Sequence, residues 1–241
     1  MTGGQVRWSE AIDHARRAKV SIPPEVELPV FQVVTSPGSV VEVTNEASLG
    51  AARRLTQQSL RPLVLNMANG LHPGGGYLAG AREQEEYLCR STAPVATLEG
   101  DAMYQRHATR PEPDSTDWAI LSPDAPVFRD DDGTPIEMPW PAAFLTAAAP
   151  YAPIVGQPRA GDLLDARIAR VLDVANAHGY TELVLGAWGC GAFGNDPDRT
   201  ANSFRRHLDD RAGSLQHVVF AVVGWSRDRR FLAPFARAFD A

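Results

Sequence analysis

At 241 residues, 44% apolar and 22% charged, the chain has the make-up of a soluble globular protein with enough apolar material for one large core. A formal charge of −6 and a pI near 5.5 argue against a surface built to grip duplex nucleic acid by phosphate neutralisation, so an anionic ligand has to be held locally. Cys89 and Cys190 are too few for a disulfide scaffold and lack the His/Cys spacing of a zinc site, and no window approaches the roughly 18 to 20 apolar residues of a membrane helix. The N-terminal stretch has no apolar run of the secretory kind. The expectation is one cytoplasmic domain, residues 1–241, with no membrane partner.

In chain order, Ser9 to Lys19 reads as a short helix capped by Ser9, broken by "SIPPEVELP". "VFQVVT" (Val30 to Thr35) and "SVVEVTN" (Ser39 to Asn45) alternate around Ser36-Pro37-Gly38 as strands, and Asn45 is placed to cap the helix "EASLGAARRLTQQ". "PLVLNMA" is a compact apolar run, read as a buried strand ending at Asn66. A helix is expected from about Ala81. From Pro94 to Pro139 prolines and the acidic turn "RDDDG" interrupt short strand-like pieces, "WAIL" and "APVF". "AAFLTAAAP" follows as a strand. The next helix is expected to start at an Asp162 cap, to bury Leu164, Ile168, Val171, Leu172 and Ala175, and to stop at Gly179. "ELVLGAW", the turn "GCGAFGN" and a helix opening at Asn195-Asp196-Pro197 form a strand–loop–helix unit, and "HVVFAVVG" supplies a last strand. Alternating helices and apolar strands imply an α/β sandwich around a mixed sheet, with ligands beyond the carboxyl ends of strands.

Two loops carry the chemistry. Gly74, Gly75 and Gly76 lack a Cβ, so their amides can approach a diphosphate or a ribose closely, and the same holds for Gly189, Gly191 and Gly194. Neither loop ends in the Gly-Lys-Ser/Thr of a nucleotide-hydrolysing phosphate loop. Gln84, Glu85 and Glu86 lie just inside the following helix, where acidic residues also serve as partners of the helix dipole. With a sugar phosphate on the glycines, these carboxylates sit where a glycosidic oxygen is protonated. Adjacent residues on one helix are poorly placed to flank a bond at the 5 to 10 Å of paired glycosidase carboxylates, so one glutamate is expected to do acid–base work while its neighbour positions the substrate. Cys190 has no identifiable partner histidine and reads as packing rather than as a nucleophile. Phe231, Phe235 and Phe239, at helical spacing, read as docking a terminal helix on the core.

"GGGYLAGAREQEE", three glycines followed after seven residues by Gln-Glu-Glu, resembles the signature of the poly(ADP-ribose) glycohydrolases, whose catalytic domain is a macrodomain. The likeness extends to "LNMAN", "SPDAPVFRDDDG" and "LVLGAWGCGAFGNDP", and these segments look like the compact bacterial type. The resemblance implies a macrodomain-like three-layer α/β/α sandwich with an N-terminal helical extension. It makes Glu86 the catalytic acid/base and Glu85 a ligand to the ribose. Gly74 to Gly76 and Gly189 to Gly191, with Cys190 between them, become the diphosphate loops, and Ala192 and Phe193 join the substrate-binding residues. Asn66 and Asn69 match asparagines along the distal ribose, Gln84 belongs to the substrate-binding signature, and Phe193 matches an aromatic packing on that ribose. His72 stands where the bacterial type has asparagine.

The implied reaction is hydrolysis of the ribose–ribose O-glycosidic bonds of poly(ADP-ribose) with release of ADP-ribose. Glu86 donates a proton to the departing 2′-oxygen and then takes one from water. Poly(ADP-ribose), ADP-ribose and ADP-ribosylated macromolecules are the expected partners. No cofactor and no metal are expected. A mono-ADP-ribosyl hydrolase, or a reader that binds ADP-ribose without cleaving it, are the alternatives.

Overall fold

The computed structural model describes residues 8–29, 39–224 and 226–240, and the strand expected at Val30 to Thr35 lies outside them. Seven strands form one mixed sheet in the order β1-β4-β5-β3-β6-β7-β2. They are β1 (Val20–Ile22), β2 (Val40–Thr44), β3 (Leu63–Ala68), β4 (Ala119–Arg129), β5 (Pro135–Ala148), β6 (Glu182–Leu185) and β7 (His217–Ala221). β5, β3, β6, β7 and β2 run parallel, while β4 is antiparallel to both β1 and β5.

Strand periodicity sorts the core into two faces. Leu63 and Leu65 of β3, Leu183 and Leu185 of β6, and Val218 and Phe220 of β7 pack on one side. That side is covered by α7 (Arg159–Ala177), α8 (Pro197–Asp209) and α9 (Leu232–Phe239). The alternate residues Val64, Val184 and Val219 pack on the other side, against α2 (Ser48–Gln57) and α3 (Gln84–Ser91), with α1 (Trp8–Ala18) reaching the same cluster through Ala15. The result is three layers. Phe204, Phe220 and Phe235 meet at centroid distances of 5.2 to 6.3 Å where α8 and α9 cross the sheet. Truncating a fully buried phenylalanine of this kind costs about 3–5 kcal/mol.

Several boundaries differ from the expectations. Asn45 does not cap α2, whose N-cap is Ala47; its Oδ1 accepts the Gly224 N–H at 2.8 Å and ties the end of β2 to the chain beyond β7. The first helix begins at Trp8, so Ser9 lies inside it. β3 continues past Asn66 to Ala68 because β5 pairs with it through that residue. A 3-10 turn at Tyr77–Ala79 delays the helix expected from Ala81, and α3 starts at Gln84. "WAIL" and "APVF" belong to one strand, β4, in which a bulge between Ser122 and Ala125 absorbs Pro123. The stretch from Pro94 also holds α4 (Val95–Leu98) and α5 (Ala102–Ala108), and the Pro150 to Pro158 loop holds α6 (Ala152–Val155). α7 starts at Arg159, so Asp162 falls in its first turn and pairs with Arg199 instead of capping. Asp196 does cap α8, accepting the Arg199 N–H at 2.9 Å, with Pro197 as the first helical residue.

Candidate active site

The site forms at the carboxyl end of β3, where β6 has stopped. β3 pairs with β6 only at Leu63 and Val64, which leaves its edge open beyond them. Gln84 fills that edge. Its Oε1 accepts the Met67 N–H at 3.0 Å and its Nε2 donates to the Leu65 carbonyl at 2.8 Å and to Ser48 Oγ at 3.2 Å. The side-chain amide thus takes the place of a missing strand and sets the first turn of α3 over the sheet. Both polar atoms of the Gln84 side chain are engaged in this way.

The next two residues face the glycine loop. Glu85 Oε2 accepts the Asn69 N–H at 2.7 Å and Oε1 accepts the Gly74 N–H at 3.2 Å. Glu86 Oε1 accepts the Gly76 N–H at 2.9 Å, and its buried Oε2 has no protein partner among the described residues. Gly75 adopts φ 56°, and a Cβ there would overlap Glu86 Oε1 and lie 3.0 Å from Glu85 Oε2. Its own N–H closes the turn on the His72 carbonyl at 2.9 Å. What presses against the three glycines is the carboxylate pair. Their amides hold Glu85, Glu86 and the turn itself.

Burial pushes the Glu85 carboxyl up to about 8, and the neighbouring charge of Glu86 adds to the rise; the amides of Asn69 and Gly74 and the side chain of Asn66 pull it back. Asn66 is fully buried, donates from Nδ2 to Thr146 Oγ1 at 3.1 Å and acts on the Glu85 carboxyl, while its Oδ1 has no protein partner among the described residues. Asn69 is half-buried and builds the loop: its Oδ1 accepts the N–H groups of Leu71 at 2.8 Å and His72 at 3.1 Å. The His72 side chain is exposed at the rim.

The second loop is organised differently. Gly189 adopts φ 74°, and Asn195 Nδ2 braces the turn from inside by donating to the carbonyls of Pro150 at 2.9 Å and Gly189 at 3.2 Å. The N–H groups of Gly189, Gly191, Ala192 and Phe193 have no protein acceptor among the described residues. Amides left open in this way are available as donors to an anion. The Cys190 side chain does not enter it: the thiol is 3% exposed, turns inward toward the Trp188 carbonyl at 3.6 Å, and is pushed up to about 12 by burial. It is inert packing, and only the backbone of Cys190 belongs to the loop. Phe193 is half-buried, edge-on to Tyr151 at 5.8 Å between ring centroids.

A cleft of about 470 Å³ lies between the start of α3, with Glu83, Gln84 and Tyr87, and the second loop and chain end opposite, with Gly191, Val223 and Phe231. A groove of about 440 Å³ continues it along Gly191 and Ala192 to Arg230. Phe231 lines both, so only Phe235 and Phe239 of the aromatic series act purely as helix anchors. Asp131, from the exposed acidic turn, reaches the cleft and accepts the Tyr87 hydroxyl. Helical periodicity concealed Phe231, and nothing in the local sequence marks Asp131 or Tyr87. Among the described residues no three His, Cys, Asp or Glu side chains group as metal ligands.

A family described as microbial-type PARG, catalytic domain, matches residues 1–130. The crystal structure of poly(ADP-ribose) glycohydrolase from Thermomonospora curvata superposes with a TM-score of 0.89 at 39% identity, covering 96% of this chain and 89% of that one. The enzyme from Deinococcus radiodurans, in complex with ADP-ribose, gives 0.87 at 35% identity, covering 95% and 97%. An uncharacterised protein of Mycobacterium tuberculosis is 38% identical over 104 residues, 42% of this chain and 28% of that protein. The match therefore spans little more than a quarter of the length of the curated relatives. With the family matched over more than half of its length and solved relatives aligned across nearly all of theirs, the chain belongs to the microbial-type poly(ADP-ribose) glycohydrolases.

Proposed function

We propose that the chain hydrolyses the ribose–ribose O-glycosidic bonds of poly(ADP-ribose) and releases ADP-ribose, with Glu86 as general acid and then general base. One observation carries this reading. Glu86 has one oxygen fixed by the Gly76 N–H and the other buried without a protein partner. Leaving such an atom unpaired costs about 1–3 kcal/mol, a cost that a substrate oxygen or hydroxyl offsets. Glu85, whose carboxyl burial biases toward the protonated form, is the neighbour that positions the ribose. The leaving 2′-oxygen takes a proton from Glu86 as the bond to C1″ breaks, and Glu86 then accepts one from the attacking water.

The open amides of Gly189, Gly191, Ala192 and Phe193 are the donors available to the diphosphate, and the cleft beside Phe231 is the room for the adenosine. The Deinococcus radiodurans relative holds ADP-ribose, and the Thermomonospora curvata relative has been solved with the inhibitor ADP-HPD. Both ligands suit this division of labour. The proposal includes residues 1–241 as one glycohydrolase-like macrodomain whose α1 is an N-terminal helical extension. It also includes a cytoplasmic place of action, in keeping with two unpaired, buried cysteines; no helix among the described residues is long and apolar enough to cross a membrane.

Incubation with labelled poly(ADP-ribose) tests the reading, and free ADP-ribose is the expected product. Intact polymer with loss of single ADP-ribose units from a modified protein points to the mono-ADP-ribosyl hydrolase. Tight ADP-ribose binding with no cleavage of either points to the reader.

A further inference from the structure

His107, in the last turn of α5, is 3% exposed and touches neither glutamate. Its ring nevertheless sits between the two halves of the site. The Thr116 N–H points at Nε2 at 3.1 Å, and an amide can only donate, so Nε2 is the bare nitrogen. The proton is then on Nδ1, which donates to the Gly70 carbonyl at 3.0 Å. Gly70 has no room to drift: a Cβ on it would lie 2.5 Å from Ser115 Oγ and 3.1 Å from His107 Nδ1. It follows Asn69, whose N–H fixes Glu85 and whose Oδ1 organises Leu71 and His72.

The segment that holds His107 is itself fixed. Arg167, buried in α7, donates to the carbonyls of Asp114 and Ala148 and pairs with Asp117 at 3.3 Å. Pro113 accepts the Tyr151 N–H at 2.9 Å, and the next residue, Ala152, donates to the Phe193 carbonyl at 2.9 Å. A chain of contacts therefore runs from the carboxylate loop to the open-amide loop.

We propose that His107 is a positioning residue: by holding the Gly70 carbonyl it keeps the Asn69 amide on Glu85 and so sets the geometry of the carboxylate pair. Burial, with Arg167 and Arg110 nearby and Asp114 opposing them, pushes its imidazole down to about 4, so it stays a neutral donor. Around Glu85 the titratable groups are Glu86 and Cys89 on α3 and Tyr104 on α5. The Asn69 N–H lowers the Glu85 carboxyl, so loosening it moves that carboxyl further up.

The inference rests on the glycohydrolase reading, and three full-length variants test it. His107→Asn keeps a donor where Nδ1 sits; His107→Gln and His107→Leu do not. Polymer turnover is expected to fall about 10- to 100-fold in the Gln and Leu variants through misplacement of the acid. ADP-ribose affinity by calorimetry should stay within about threefold of wild type, and the Asn variant should recover most of the turnover. Carboxyl NMR should show Glu85 titrating higher in Gln and Leu than in wild type and Asn. The proposal is overturned by wild-type turnover in the Gln variant, by parallel losses of turnover and affinity, by no recovery in Asn, or by an unmoved Glu85. The Asn and Gln pair decides the matter alone if the Leu variant does not fold. A wild-type protein that releases no ADP-ribose removes the proposed function instead, and the NMR titration still judges His107.

Discussion

The Asn69–Gly76 loop and the Gly189–Asn195 loop each follow a parallel strand, each precede a helix and each are rich in glycine, yet their amides meet different partners. In the first, Asn69, Gly74 and Gly76 donate to Glu85 and Glu86, and Gly75 is a glycine because a carboxylate occupies the space of its Cβ. In the second, a buried Asn195 braces the turn and four amides remain without acceptors among the described residues. Glycine content alone says that something comes close to the backbone. Whether that something is a side chain of the same protein or a ligand depends on what the neighbouring helix brings. α3 carries carboxylates into the first loop, whereas the side chain nearest Gly191 is the exposed Glu83, 3.4 Å from where a Cβ would sit.

The largest effect is expected from Glu86→Gln, which keeps the Gly76 contact and removes the proton to donate. Turnover should drop by about 10²–10⁴-fold with ADP-ribose affinity nearly unchanged. Near wild-type turnover would take Glu86 out of the chemistry. Gly75→Ala probes the first loop directly: the added methyl displaces Glu86 in a backbone conformation that alanine resists, so kcat should fall by about 100-fold while ADP-ribose affinity holds. A fall in affinity with kcat preserved would return the diphosphate to this loop. The opposite pattern is expected at Gly191, whose Cβ position meets only Glu83 Oε2. Gly191→Val should fold, keep kcat at saturation, and lose about tenfold in ADP-ribose affinity, or about 1.4 kcal/mol. Unaltered affinity by calorimetry would sink the assignment of the open amides.

A smaller effect concerns stability. Glu85 keeps its proton in the fold up to about 8, whereas an unfolded carboxyl loses it above 4.5, so between those values the folded state binds more protons and stability falls as pH rises. His107 is lowered to about 4 from 6.5, so over that interval the unfolded state binds more protons and stability rises with pH. The two slopes oppose each other from about pH 4.5 to 6.5, and only the Glu85 slope remains from 6.5 to 8. The thermal midpoint should be level over the first interval and fall by roughly 5 °C over the second. A midpoint that keeps rising to pH 8 would place the buried proton elsewhere. The null effect comes last: the charges of the proposed reaction are met by amides and Glu86, so exhaustive EDTA treatment should leave the rate unchanged. Activity that vanished and returned with magnesium or zinc would contradict a metal-free mechanism.

Much of this molecule is legible along the chain. α7 and α8 carry long apolar faces, β3, β6 and β7 are short apolar runs, and the Gln-Glu-Glu after three glycines points to an acid–base site. The β4–β5 hairpin is less so, because Pro123 and Pro126 break the alternation that a bulge restores in space. Asp131 and Phe231 were not read as cleft residues for a related reason: the cleft joins a hairpin turn to the start of the last helix, 100 residues apart in sequence.

By itself the sequence determined which residues carry ionisable and backbone-permissive chemistry, since hydrophobic period, capping and glycine spacing are local properties of the chain. It placed Glu85 and Glu86 on one helix start and the second glycine loop after β6. Only the tertiary structure decided how the partners were shared. Gln84 is a stand-in strand because β6 ends early, Asn66 is a support because Thr146 lies beside it, and His107 reaches Gly70 across 37 positions. Each of those choices is a hydrogen bond between distant segments. A buried donor or acceptor must find some partner, but which one it finds depends on the packing of elements that no local pattern records.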